Sequence, residues 1–249
     1  MRTLCAIAFI GVLQYAVFAA NANQAEKIGE GVYANITIIY DANYSKRFEE
    51  KAEGQNITKY LTNLVSLAEQ HFHSESIMVN FSVHDVINKS DLLVFYQNGS
   101  VDGMETLTNI TNYAKSVGAP NNSIFCHVVA RRIYAENGDQ FNTYGVSDVA
   151  TNNTFCRNQS AVVFLEFPGQ NNSRSLVRGL GLTMGAHNHV YFQEEDKKAM
   201  NQTFAECPRK TSKQEQRRTQ TKTKKRTPKK PKEKKIKKQK VEKTKKKVK

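Results

Sequence analysis

The chain has 249 residues, with 37 Lys and Arg against 23 Asp and Glu, a formal charge of +14, no tryptophan and four cysteines. Residues 208–249 hold 22 basic and 3 acidic residues, a net +19, whereas residues 1–207 hold 15 basic and 20 acidic ones, a net −5. That split excludes an evenly basic domain, and together with the N-terminal segment it argues against a cytosolic enzyme.

Met1 to Ala22 begins with Arg2, continues as an apolar run from Leu4 to Phe18 and ends in small residues. A basic start, a hydrophobic stretch too short to span a bilayer and an A-x-A-like end predict a signal peptide over 1–22, cut between Ala19 and Ala22. The expected product is secreted, extracellular and without a transmembrane segment. Cys5 leaves with the signal, so Cys126, Cys156 and Cys207 remain, and an odd number in an oxidising compartment implies one disulfide and one spare thiol. Sequons at Asn35, Asn43, Asn56, Asn80, Asn88, Asn98, Asn109, Asn121, Asn152, Asn158, Asn171 and Asn201 predict heavy N-glycosylation of the body.

Residues 23–207 are enough for one domain with its own core. Val32, Ala34, Ile36, Ile38 and Tyr40 alternate with Tyr33, Asn35 and Thr37, which predicts a strand with Asn35 on its outer face. Leu61, Leu64, Val65, Ala68 and Phe72 have helical spacing. Ile77, Val79, Phe81 and Val83 form a second period-two strand. A second helix follows from Leu107, Ile110, Ala114 and Val117, with Asn109 opposite and Asp102 and Glu105 as a capping pair. Ser123 to Ala130 and Ala161 to Phe167 are apolar runs expected of strands covered on both faces, and a last helix is expected over Ser175 to Ala186. This order predicts an α/β sandwich.

His71 and His73 read as the exposed end of a helix, and His84 and His127 as strand residues. No GxSxG, P-loop or dinucleotide fingerprint occurs. Residues 208–249 are rich in Lys, Thr, Gln and Pro and nearly devoid of large apolar side chains, so they are expected to be disordered. Their dense positions, Lys224, Lys225, Arg226, Lys229, Lys230, Lys234, Lys235, Lys237, Lys238, Lys245, Lys246 and Lys247, suit a polyanion such as a glycosaminoglycan or an anionic phospholipid surface. Each contributes on the order of 1 kcal/mol near an anionic leaflet. The signal peptide directs the chain away from nucleic acid.

Residues 176–189 read LVRGLGLTMGAHNH and follow an apolar strand. This resembles the zinc helix of reprolysin-type metzincin proteases, whose pattern is H-E-x-x-H-x-x-G-x-x-H. Leu180, Gly181 and Gly185 fit that frame. The segment GDQFNTYGVSDVATNNTFCRNQSAVVF is similar to the family's edge strand, cysteine and following strand, and EEDKKAMNQTFAEC to its C-terminal helix and final cysteine. With secretion, size and glycosylation added, the chain most closely resembles the 28 kDa metastriate family of tick salivary proteins.

The resemblance implies a metzincin-like fold with a twisted mixed sheet, a disulfide between Cys156 and Cys207, and Asn142 to Val146 as an edge strand able to hold peptide backbone. It also places Arg178 and Leu182 at the first two zinc-ligand positions, Gly179 at the general base and Asn188 at the third ligand. Guanidinium and isobutyl groups cannot replace imidazoles, so the motif is degenerate and neither zinc nor peptide hydrolysis is expected. Ligation of zinc by His187 and His189, which flank the third position, is the alternative. The function expected is a catalytically inactive binding protein that meets host factors and uses its tail on polyanions; an active zinc metalloendopeptidase with unusual ligands is the second reading.

Overall fold

Period-two apolar segments and amphipathic helices alternate along the chain, and their buried faces meet on a single sheet. The structure, a computed structural model, describes residues 26–135, 145–187 and 190–209. The expected signal peptide, the tail from residue 210 and residues 188–189 lie outside the described residues.

The elements run β1 (Tyr33–Tyr40), α1 (Ala42–Lys51), α2 (Ile57–Ser74), β2 (Asn80–Asn88), β3 (Val101–Asp102), α3 (Gly103–Ser116), β4 (Ser123–Val129), β5 (Ile133–Tyr134), β6 (Asp148–Ala150), β7 (Ser160–Leu165), α4 (Arg174–Thr183) and α5 (Glu194–Ala205). The main sheet has the order β2-β1-β4-β7-β6, parallel except for β6, which pairs antiparallel with β7. β3 and β5 form a separate parallel pair. The predicted α/β sandwich with a mixed sheet is the fold observed.

One face of the sheet is covered by α1, α2, α4 and α5, which bury Tyr44, Phe48, Leu61, Leu64, Phe72, Leu180, Met200 and Phe204 against Ile36, Ile38, Cys126, Val128, Val162 and Phe164. The other face packs Ile39, Phe125, Val129, Ala161 and Val163 against Leu107, Ile110 and Ala114 of α3 and against Leu92 and Leu93. Full burial of β4 and near-complete burial of β7 agree with their continuous apolar runs. Side-chain caps start the first three helices: Asp41 accepts from the Tyr44 N–H (2.9 Å), Asn56 from Lys59 (2.9 Å) and Asp102 from Glu105 (3.0 Å).

Several expectations change. β1 is an inner strand, so Thr37 and Ile39 are buried on what the alternation marked as its outer face, and on that face Tyr33 and Asn35 at its start stay half-exposed. The strand after α2 begins at Asn80, three residues later than predicted. Asn109 is half-buried, and its Nδ2 donates to the Leu92 carbonyl (3.2 Å). His71 and His73 are half-buried pins: their Nε2 atoms lie 2.6 Å from the Val190 carbonyl and 2.9 Å from the Val79 carbonyl. All twelve sequon asparagines are exposed or half-buried. Among the described residues no helix is long and apolar enough to cross a membrane.

Cys156 and Cys207 form a disulfide (Cα–Cα 5.0 Å) that ties the end of α5 to the loop before β7, and Cys126 is a buried free thiol on β4. A disulfide is the chemistry of an oxidising compartment.

His127, on β4, is fully buried with neither ring nitrogen hydrogen-bonded among the described residues, and burial pulls its pKa from 6.5 to about 3, with Asp91 opposing. The unfolded chain therefore binds a proton that the native state refuses. Stability falls as the pH drops from about 6.5 towards 3, by up to about 1.4 kcal/mol per unit. Denaturant titrations at pH 7 and pH 4.5 should show the wild type losing about 2 kcal/mol more than His127→Leu; equal losses in the two proteins would count against this assignment.

Candidate functional site

α4 carries the degenerate motif, and its position is set by glycine. A β-carbon on Gly179 would stand 2.3 Å from Cγ1 of Val162 in β7, and one on Gly181 would stand 2.8 Å from the Phe192 ring. The two glycines let the helix lie against the sheet on one side and against the chain entering α5 on another. Its C-terminal carbonyls are taken by the loop before β7: Asn153 donates to Leu182 and Phe155 to Thr183, each at 2.9 Å. Gly185, at φ +102°, then turns the chain out of the helix.

At the first ligand position of the motif, Arg178 reaches across to the edge strand, and its Nη2 lies 2.7 Å from Oδ1 of Asp148, whose side chain is fully buried. Ser147 Oγ donates to the same oxygen (2.8 Å). Burial pushes the Asp148 carboxyl up, against the pull of Arg178 and Ser147. Asp148 Oδ2 and Arg178 Nε are buried without partners among the described residues. The pair therefore braces α4 against β6 while leaving one polar atom on each side unsatisfied.

The remaining positions offer no better donor. Gly179 has neither a side chain nor space for one, and Leu182 is a half-buried aliphatic residue. His187 is largely exposed, but its Nδ1 lies 2.9 Å from Asp196 Oδ1, which also accepts the His187 N–H (2.7 Å). The second oxygen of Asp196 accepts the Gln193 N–H (2.9 Å) to cap α5. Burial alone would raise the Asp196 carboxyl, but these donors hold it below the usual carboxylate range. Asn188 and His189 lie outside the described residues. Met200 is buried in α5. This donor set does not fit a zinc ion, and no group of three or more His, Cys, Asp or Glu is arranged to hold a metal among the described residues.

Among the described residues the edge of the main sheet next to β7 is β6, Asp148–Ala150, just beyond the segment Asn142 to Val146 expected to hold peptide backbone. Val146 makes a separate antiparallel bridge to Ile133, and residues 142–144 lie outside the described residues.

A buried acid that the sequence reading missed stands at the end of β7. Glu166 accepts from the hydroxyls of Tyr44 in α1 and Tyr60 in α2 (2.6 Å for Tyr60), and Tyr60 Oη in turn accepts from the N–H groups of Gly169 and Asn171, each at 3.1 Å. Burial raises the Glu166 carboxyl and the Tyr60 phenol, the latter to about 12. The single acid in the run AVVFLEF was the available signal. With every oxygen engaged, the cluster fastens two helices to the strand and leaves no group for chemistry.

No family model matches the chain, and no curated protein sequence matches it. Solved structures with similar folds include metalloproteinase-II from Bacteroides fragilis (TM-score 0.46, 9% identity, 72% of this chain and 55% of that one). A chaperone–substrate complex (0.43, 11%, 74% and 36%) and an archaemetzincin from Methanopyrus kandleri (0.41, 12%, 71% and 98%) are also similar. The chain thus spans about half of the Bacteroides protein.

The Arg178–Asp148 brace has a measurable signature. Arg178→Met strands a buried carboxylate and should destabilise the domain by about 3–5 kcal/mol, whereas adding Asp148→Leu should recover most of the loss. Denaturant midpoints of the wild type, the single and the double variant decide it; a single variant as stable as the wild type would remove the brace.

Proposed function

We propose that this is a secreted, N-glycosylated protein built on a metallopeptidase-like scaffold that has no catalytic function and acts by binding. The observation that carries this reading is the use of the first ligand position, Arg178, as an ion-pair brace to Asp148, beside a Gly179 that cannot be replaced by a carboxylate without displacing Val162. Hydrolysis by zinc needs imidazoles and a carboxylate aimed at one bound water, and α4 supplies none of them. The Cys156–Cys207 disulfide supports an exported protein. The resemblance to tick salivary proteins supports host factors of haemostasis or immunity as the partners.

In this reading the tail, Lys224 to Lys247 above all, holds the protein on glycosaminoglycan or anionic phospholipid, with an affinity that falls as salt rises. The protein purified from secreting cells should contain no stoichiometric zinc by elemental analysis and should cleave neither gelatin nor casein. Chelator-sensitive cleavage, lost in His187→Ala/His189→Ala, would establish the alternative, an active zinc metalloendopeptidase.

The tail is tested separately on a heparin column. The full chain should elute at much higher salt than a form lacking residues 208–249, and coincident elution would discard the polyanion role.

A further inference from the structure

The parallel strands β1 and β4 are neighbours in the sheet, but the chain leaves them in opposite directions: β1 leads through α1 and α2 to β2 on one side, and β4 leads on towards β7 and β6 on the other. In an open α/β sheet the crevice at the carboxyl ends of two such strands is left uncovered by the connections and is where ligands collect. Here that crevice is a cavity of about 500 Å³ lined by Asn43 and Arg47, which follow β1, and by Arg131, Arg132 and Tyr134, which follow β4, with the turn at 98–100 as its rim.

Its chemistry is one-sided. Three guanidinium groups line it and no acidic residue does. Among the described residues none of the three arginines is ion-paired. One donor there, Nε of Arg131, is buried with no hydrogen-bond partner among the described residues, a costly state that an acceptor in the crevice would relieve. Asn43 and Arg47 lie one helical turn apart on α1, so they present one face. The Arg131 guanidinium is held over the Phe95 ring, 5.0 Å from its centroid. A second hollow, lined by Tyr96, Gln97, Asn98 and Tyr134, shares two residues with the first, and its tyrosine rings meet edge to face at 6.3 Å.

We infer that this crevice binds a small phosphate or sulfate monoester, with the anion among Arg47, Arg131 and Arg132 and the ring of the ester against the tyrosines. A lone carboxylate offers one charge and two oxygens to three cations; a tetrahedral oxyanion ester offers three oxygens and up to two charges, which suits the set. The aromatic hollow beside it suits a ring rather than a bare ion.

The site is independent of the tail and of the zinc question, and the test keeps them apart. Full-length protein, made without glycans in a bacterial periplasm, is titrated calorimetrically at physiological salt with adenosine 5′-monophosphate and, separately, with glucosamine 6-sulfate. One saturable site per chain is expected for at least one probe, and the tighter of the two tells a phosphate from a sulfate source. Arg131→Gln and the exposed Arg132→Gln should each weaken binding tenfold or more, while the tail variant Lys234→Gln/Lys235→Gln should leave it unchanged. Absence of saturable binding by both probes, survival of binding in both arginine variants, or its loss in the tail variant would overturn the assignment.

Discussion

The contact on which the arrangement turns is the closeness of α4 to β7. Because position 179 has no side chain, Val162 fills the space where one would stand, and the helix lies flat on the sheet. That closeness lets Arg178 span to β6, and the resulting ion pair joins the helix to the one antiparallel strand of the main sheet. A protein interior is close-packed, so a helix seated this way cannot take a side chain at position 179 without moving relative to Val162. The glycine is thus fixed by packing on the sheet, independently of what stands at the neighbouring positions of the helix.

Sequence legibility followed how local each cause is. β1, β4 and β7, α2 and α3 were readable because their burial is written in periodicity. α1 was missed because only Tyr44 and Phe48 of its ten residues are buried, too few to form a pattern. β6 was missed because it is three residues long and its buried acid looks like a surface residue until Arg178, thirty positions on, neutralises it. The same holds for Glu166, whose two tyrosine partners lie 106 and 122 positions away. The inner position of β1, which buries Thr37 and Ile39, follows from strand order and from no local signal. The degenerate motif was legible residue by residue; what Arg178 does instead of ligation was not.

Charge is divided along the chain in a way that assigns different tasks to different parts. The body is mildly acidic, yet it concentrates in one crevice at the carboxyl edge of its sheet three arginines that have no ion pair among the described residues. A bulk excess of cations, like that of residues 208–249, attracts any dense anion over a distance set by ionic strength. A few fixed guanidinium groups act at contact range and select for shape. In the functions proposed above, long-range capture and short-range choice are located in separate segments.

Cys126 sits in the middle of the most deeply buried strand, and its surroundings push the thiol well above its ordinary pKa. A thiol that neither ionises nor meets solvent takes no part in exchange reactions, since the thiolate is the attacking species. Placing β4 at the centre of the sheet therefore withdraws this cysteine from disulfide exchange. Once the core has formed, the three cysteines of the described residues reduce to a single permitted pairing, Cys156 with Cys207, and none of those three offers a free sulfur at the surface through which two copies become cross-linked.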